Sequence, residues 1–176
     1  MVDALRHDRA LLDALDVAPV SFHGIVWRIA RVGRDPLRGS TLAGRWNGGD
    51  YSVLYTACES DGALAEVGFR LSLEPIWPSR LQHTLHEIKV DCEKVIDLSD
   101  LSALERLGVV TSKYQSFDYS VTSRISAAAA FLEFDAMLVP NARFKCNNLV
   151  IFNERPNNLE LVKSTSVDWD GWLSMK

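Results

Sequence analysis

The stretch SVLYTACESDGALAEVGFRL, residues 52–71, changes its period halfway, and that change decides how the fold is read. Ser52 to Ala57 alternates, with Val53, Tyr55 and Ala57 on one face, which is the pattern of a strand. From Glu59 to Leu71 the apolar positions recur at helical spacing, and Ser60 or Asp61 stands where a helix cap is needed. A strand feeding a helix in this way calls for a sheet with helices packed on it.

The flanking segments extend the same reading. Upstream, Gly33, Pro36, Gly39, Gly44, Gly48 and Gly49 place too many backbone breakers between residues 33 and 50 for a regular element, so a long loop is expected there. Before it, GIVWRIA (Gly24 to Ala30) is apolar on both faces, with Ile25, Trp27 and Ile29 on one and Val26 and Ala30 on the other, as in a buried strand. Residues 3–15, with Leu5, Leu11, Leu12 and Leu15 among charges, read as an amphipathic helix. Downstream, Pro75 and Pro78 end the helix over Glu59 to Leu71. Strands are then expected over Leu85 to Val90 and Lys94 to Leu98, a short helix capped by Ser99 or Asp100 runs to Leu107, and an Ala-rich helix spans Ser120 to Phe131. Ala136 to Val139, Leu149 to Phe152 and an edge segment, Leu159 to Val162, complete the sheet. The expected fold class is α+β, a mixed or antiparallel sheet core with flanking helices. With no repeat and no Pro/Ser-rich linker, one domain is expected over 1–176, with a helical extension at 1–20 and a core at about 24–162.

Composition narrows the function classes. The chain has 176 residues, 47% hydrophobic and 24% charged, the balance of an ordinary globular domain. Its longest apolar run, Ile125 to Leu132, is broken by Ser126 and falls far short of the roughly 18 residues needed to span a bilayer. No secretory signal is legible, so a cytoplasmic location and no membrane partner are expected. A net charge of −4 without any dense Lys/Arg block argues against direct nucleic-acid binding. Cys58, Cys92 and Cys146 form no CxxC pair and read as reduced, small apolar residues. His83 and His86 fall on opposite faces of a strand, so no metal site is expected from them.

Several residues stand out chemically. Arg28 interrupts a buried strand face; a guanidinium there needs either an internal carboxylate or an anionic ligand such as phosphate. GRWNGG, Gly44 to Gly49, sets one cation and one indole among glycines that permit close backbone approach. It is neither a Walker loop nor a dinucleotide fingerprint, and a structural turn with Arg45 solvated and Trp46 in the core fits it equally well. Tyr55 turns its ring inward, for packing or as a wall against which a heteroaromatic ring stacks. Glu66 lies on a helix of small and apolar residues with little polar cover, where a carboxylate either pairs with Arg70 one turn on or has a task. Asn141, in VPNAR, follows a strand end, as a turn residue or a site residue. No GxSxG elbow occurs, and a nuclease built on His23 conflicts with the charge balance.

The order of these segments carries more than any one of them: WR, GRWN, LYTA, ALAE and LVPNAR. From about Val26 to Phe152 the sequence resembles the RES-domain family, toxins of bacterial type II toxin–antitoxin modules usually encoded beside an Xre-like antitoxin. The resemblance implies an ADP-ribosyltransferase-like fold and a reaction on NAD as substrate, with no prosthetic group. The family's arginines match Arg45 and Arg28, its tyrosine Tyr55, its glutamate Glu66, and its serine falls on Asn141. Glu66, Arg45 and Tyr55 are thus expected to be catalytic, and Arg28, Arg45, Trp46, Tyr55 and Asn141 to bind NAD. A toxin of this kind is expected to be restrained by an Xre-like antitoxin covering the NAD site. Three activities remain open: cleavage of the nicotinamide–ribose bond with water or phosphate as acceptor, mono-ADP-ribosylation of a cellular protein, or binding without catalysis.

Overall fold

The computed structural model describes residues 8–154 and 158–176. In chain order the elements are α1 (Arg9–Leu15), β1 (Val20–Arg31), β2 (Val53–Ala57), α2 (Ser60–Ser72), β3 (His83–Asp97), α3 (Leu101–Arg106), α4 (Ser120–Phe131), β4 (Ala136–Pro140), β5 (Asn147–Phe152), β6 (Asn158–Ser166) and α5 (Trp169–Ser174). A single 3-10 turn, Thr111–Lys113, lies between α3 and α4. This is the expected α+β architecture, a mixed sheet carrying helices.

The strand order is β1-β2-β5-β4-β3-β6, and β1 also pairs with β3, so five strands close on themselves with β6 outside. Closure depends on the length of β3. One edge of its 15 residues pairs with β1 from His83 to Val95, while the other takes β6 at Thr84 to Asp91 and then β4 at Val95 to Asp97. The two strands expected over 85–90 and 94–98 are therefore one, because the pairing with β1 continues through Cys92 and Asp91 with only an irregularity near Val20 and Phe22. Only the β3–β4 pairing is parallel; the others are antiparallel.

Alternation along the strands separates two apolar cores. Val53, Val150 and Met137 face one, with Ile125, Ala128 and Ala129 of α4 and Leu104 of α3. Leu54, Leu149, Ile151 and Ala136 face the other, with Val26, Ile88 and Val90. β2, β4 and β5 thus bury both faces, the physical reason why their sequences are runs of apolar residues rather than a strict alternation with polar ones. Of the helix expected over 3–15, residues 1–7 lie outside the described part, and the rest begins behind an Asp8 cap whose carboxylate accepts from Ala10 N. Asp100 caps α3 as expected, by accepting from Ser102 N. For α2 the cap position falls on Glu59, with no side-chain bond, and Ser60 and Asp61 sit inside the first turn.

α2 positions the site, and small residues let it lie close to its surroundings. Gly62, Ala63, Ala65 and Gly68 are its buried residues. A Cβ at Gly68 would run into the ring of Trp172, so α5 braces α2 from behind. Among the described residues no helix is long and apolar enough to cross a membrane.

Candidate active site

Arg28 lies on the inner face of β1 between the buried Val26 and Ala30. Its Nη1 reaches Tyr55 O at 3.5 Å and its Nη2 reaches Arg38 O at 3.4 Å, both long contacts, while its Nε is buried with no partner. Among the described residues no carboxylate pairs with it; Asp35 exerts only a longer-range pull. Burial, the dominant cause, draws the guanidinium pKa below its ordinary value. A buried cation so poorly satisfied is costly unless a ligand completes its shell.

The glycine-rich loop is held from within by Asn47. Its Nδ2 donates to Ser40 O and Tyr51 O, both at 3.0 Å, and its Oδ1 accepts from Gly49 N at 2.7 Å. Paired backbone bonds between Gly44 and Asn47 then form a tight turn that projects Arg45 sideways. Arg45 donates through Nη1 to Tyr114 O and through Nη2 to Ser116 O (3.3 Å). Its guanidinium carbon lies 4.8 Å from the ring centre of Tyr114 and 5.0 Å from that of Tyr119. Two rings and two carbonyls hold this half-buried cation.

Trp46 turns its indole inward. The indole is 2% exposed and packs in the core beneath α4, and the residue also lines the cleft beside Arg45 and Tyr55. What this residue contributes is backbone: its N–H donates to Tyr55 Oη at 3.1 Å, and its carbonyl accepts from Ser126 Oγ at 2.6 Å. The close approach that Gly44 permits is likewise to Tyr55, whose Oη is 2.9 Å from where a Cβ would stand. Tyr55 is half-buried, and burial pushes its pKa up to about 12, so its hydroxyl stays protonated throughout the neutral range. Burial has the same effect on the thiols, raising Cys58 and Cys92 to about 12 and Cys146 to about 11, which leaves them unreactive.

On α2, Glu66 forms no pair with Arg70 among the described residues. Instead its Oε1 accepts from Ala142 N at 3.2 Å, across from the loop that follows β4. The preceding residue, Asn141, is held by the protein itself. Its Oδ1 accepts from Arg143 N (2.8 Å) and Phe144 N (2.9 Å), and its Nδ2 donates to Gly62 O (3.3 Å) and Asn148 Oδ1 (2.8 Å). With four internal bonds and 8% exposure, Asn141 has no group left for a ligand. It shapes the 141–144 turn and ties it to the start of α2.

These elements enclose a cleft of about 540 Å³ bordered by Arg28, Arg45, Tyr55, Glu66 and Asn148. That is within the roughly 300–1,000 Å³ of ordinary small-molecule sites. Arg28, Arg45, Tyr55 and Glu66, far apart in sequence, meet here; Asn141 does not reach it. Sequence reasoning missed Asn148, Arg143, Phe69 and Tyr119, which also border it. Asn148 pairs with Ala57 in the β2–β5 ladder and accepts from Asn141 through Oδ1. Arg143 stands inside the VPNAR segment that was singled out for its asparagine. Phe69 is one turn after Glu66, a spacing that helical periodicity makes visible. Tyr119 gives no such signal. His83 and His86 go to separate partners, Trp169 Nε1 at 3.0 Å and Ser164 Oγ at 2.8 Å.

Comparison with known proteins agrees with this geometry. A probable NAD(+) phosphorylase of Mycobacterium tuberculosis is 32% identical over 132 residues, which are 74% of this chain and 62% of that protein; the match thus spans less than two thirds of the relative. A chain of the M. tuberculosis MbcT–MbcA toxin–antitoxin complex shares the fold, with a TM-score of 0.84 and 24% identity over 95% of this chain and 97% of that one. The RES domain model matches residues 25–171, nearly the whole described fold and every residue that borders the cleft, and on that match the chain belongs to the RES-domain family.

Proposed function

We propose that this protein consumes NAD by cleaving the bond between nicotinamide and ribose, passing ADP-ribose to phosphate or water, and that it acts as the toxin of a toxin–antitoxin pair. The observation that carries the reading is the convergence of Glu66, Arg28, Arg45 and Tyr55 on one cleft. Leaving of nicotinamide builds positive charge on the ribose, and a fixed carboxylate stabilises that state more than the ground state. Glu66, anchored through one oxygen by Ala142 N–H, presents its other oxygen for this purpose. Arg28, with its orphaned Nε, and Arg45 neutralise the diphosphate. Tyr55, held protonated, packs its ring against the nicotinamide or adenine. None of these roles calls for a metal.

The partner in this reading is an antitoxin, Xre-like by the family resemblance, that covers the cleft. The cleft rim supports it: Leu42 (78% exposed), Leu73 (54%) and Phe117 (61%) offer an apolar ring around a charged interior.

Incubating the purified protein with NAD, with and without inorganic phosphate, tests the reaction. Nicotinamide release is expected in at least one condition. NAD left intact at high protein and long times in both would rule the reading out, and label from NAD retained on a cellular protein would instead select mono-ADP-ribosylation.

A further inference from the structure

Besides Arg28 and Arg45, two more cations that the roles above leave unused border the cleft, Arg70 and Arg143. Arg143 has its guanidinium carbon 3.6 Å from the ring centre of Phe69 and 5.9 Å from that of Phe117. Among the described residues only its Nη2 is engaged, donating to Gln115 O at 2.7 Å, and no carboxylate pairs with it. An arginine has five N–H donors in a planar fork, so most of this fork is free.

Its position is tied to Glu66 from two directions. Along the chain it follows Ala142, whose N–H holds the Glu66 carboxylate. Across the cleft it stacks on Phe69, one helical turn beyond Glu66 on α2. Arg28 and Arg45 are fixed elsewhere, against carbonyls of residues 38 and 55 and of residues 114 and 116. Arg143 is thus the cleft cation carried by the same turn that anchors Glu66, while Arg70, which also borders the cleft, stands on α2 itself.

We propose that Arg143 binds the inorganic phosphate that attacks the ribose, and so decides whether phosphate or water accepts ADP-ribose. This rests on the NAD-cleaving reading above. In the step, an oxygen of monohydrogen phosphate bonds to C1 of the nicotinamide-bearing ribose. The C1–N bond breaks, its electron pair neutralises the pyridinium, and nicotinamide leaves; the phosphate keeps its proton and the product is ADP-ribose 1-phosphate. A dianion approaching the ribose beside Glu66 is repelled by that carboxylate, and the adjacent guanidinium offsets the repulsion while orienting two phosphate oxygens. Water carries no charge and gains nothing from Arg143.

The test compares wild type, Arg143→Ala and Arg143→Lys at saturating NAD and varied phosphate, with the products resolved as ADP-ribose and ADP-ribose 1-phosphate. For Arg143→Ala the KM for phosphate is expected to rise roughly ten- to hundredfold, the scale of a lost charge-assisted pair of hydrogen bonds, and by much more than the KM for NAD. The product ratio shifts toward ADP-ribose, and Arg143→Lys, which keeps a charge without the fork, falls between. Should the alanine variant fail to fold, the lysine variant alone carries the test through its product ratio. A wild type that phosphorolyses NAD while folded variants keep its phosphate KM and product ratio overturns the assignment and leaves the parent reading standing. A wild type that only hydrolyses NAD overturns the assignment as well; one that leaves NAD intact overturns both.

Discussion

The carboxylate of Glu66 accepts a hydrogen bond from the backbone N–H of Ala142 at 3.2 Å, joining the helix after β2 to the turn after β4 across 76 residues of sequence. This single backbone donor orients one carboxylate oxygen at the edge of the cleft. Glu66→Gln keeps an oxygen for Ala142 N–H and removes the charge. NAD turnover is expected to fall by about a hundredfold or more, in line with loss of a transition-state electrostatic group, while the thermal midpoint stays near wild type. Nicotinamide release and a melting curve on the same preparation check both halves. Turnover within a few-fold of wild type would remove Glu66 from the chemistry.

Arg28 gives the opposite signature. Because its Nε is orphaned and its other contacts are long, the folded protein gains little from this cation in the absence of ligand. Arg28→Met fills a similar volume without a buried charge, and urea unfolding is expected to show stability unchanged or raised by about 1 kcal/mol or more. NAD affinity measured by calorimetric titration is expected to fall roughly tenfold or more. A marked loss of stability with affinity intact would make Arg28 a structural residue.

Asn141 is expected to act on stability rather than on substrate. Asn141→Ala leaves Arg143 N, Phe144 N and Asn148 Oδ1 without their partner, and at about 1 kcal/mol or more per buried bond the cost is about 2–4 kcal/mol. Denaturant unfolding reads this directly. In variants that remain folded, activity is expected to follow the fraction of native protein; a fully stable but inactive variant would restore a ligand role.

Acid sensitivity follows from His83 and His86, both held below the ordinary value of 6.5, first by burial and then by Arg31 and Arg28 respectively. A depressed histidine pKa means that the unfolded chain binds protons more readily. The stability these residues contribute is therefore complete above 6.5 and declines as pH falls below it. Protonation also removes the lone pair on His83 Nδ1 that accepts from Trp169 Nε1, loosening α5 and its brace on α2. Melting curves between pH 7 and 5 are expected to show a falling midpoint. His83→Asn, with Oδ1 in place of Nδ1 and no titration, is expected to reduce that slope and leave the His86 share.

The sequence alone was sufficient for what depends on local period and on charge. The switch from alternation to helical spacing within residues 52–71 located β2 and α2, Asp100 announced the cap of α3, and the isolated arginine in GIVWRIA marked an inner-face cation. The ordered segments also marked Arg45, Tyr55 and Glu66, because side chains that meet at a cleft stand out locally as polar interruptions of apolar elements. What the sequence could not decide were matters of partner and closure. That β3 is one strand depends on a continuous ladder to β1, and sheet closure depends on pairings distant along the chain. Trp46 and Asn141 illustrate the same limit: an indole beside glycines and an asparagine after proline fit either core or site, and only the packing of α4 and four hydrogen bonds assign them inward. Arg143 is the converse, an ordinary loop cation in sequence that becomes a cleft residue because Phe69 and Gln115 hold it there. Local pattern specifies which groups leave the solvent, but which of them meet is set by long-range contacts whose cost in chain entropy only the assembled core can offset.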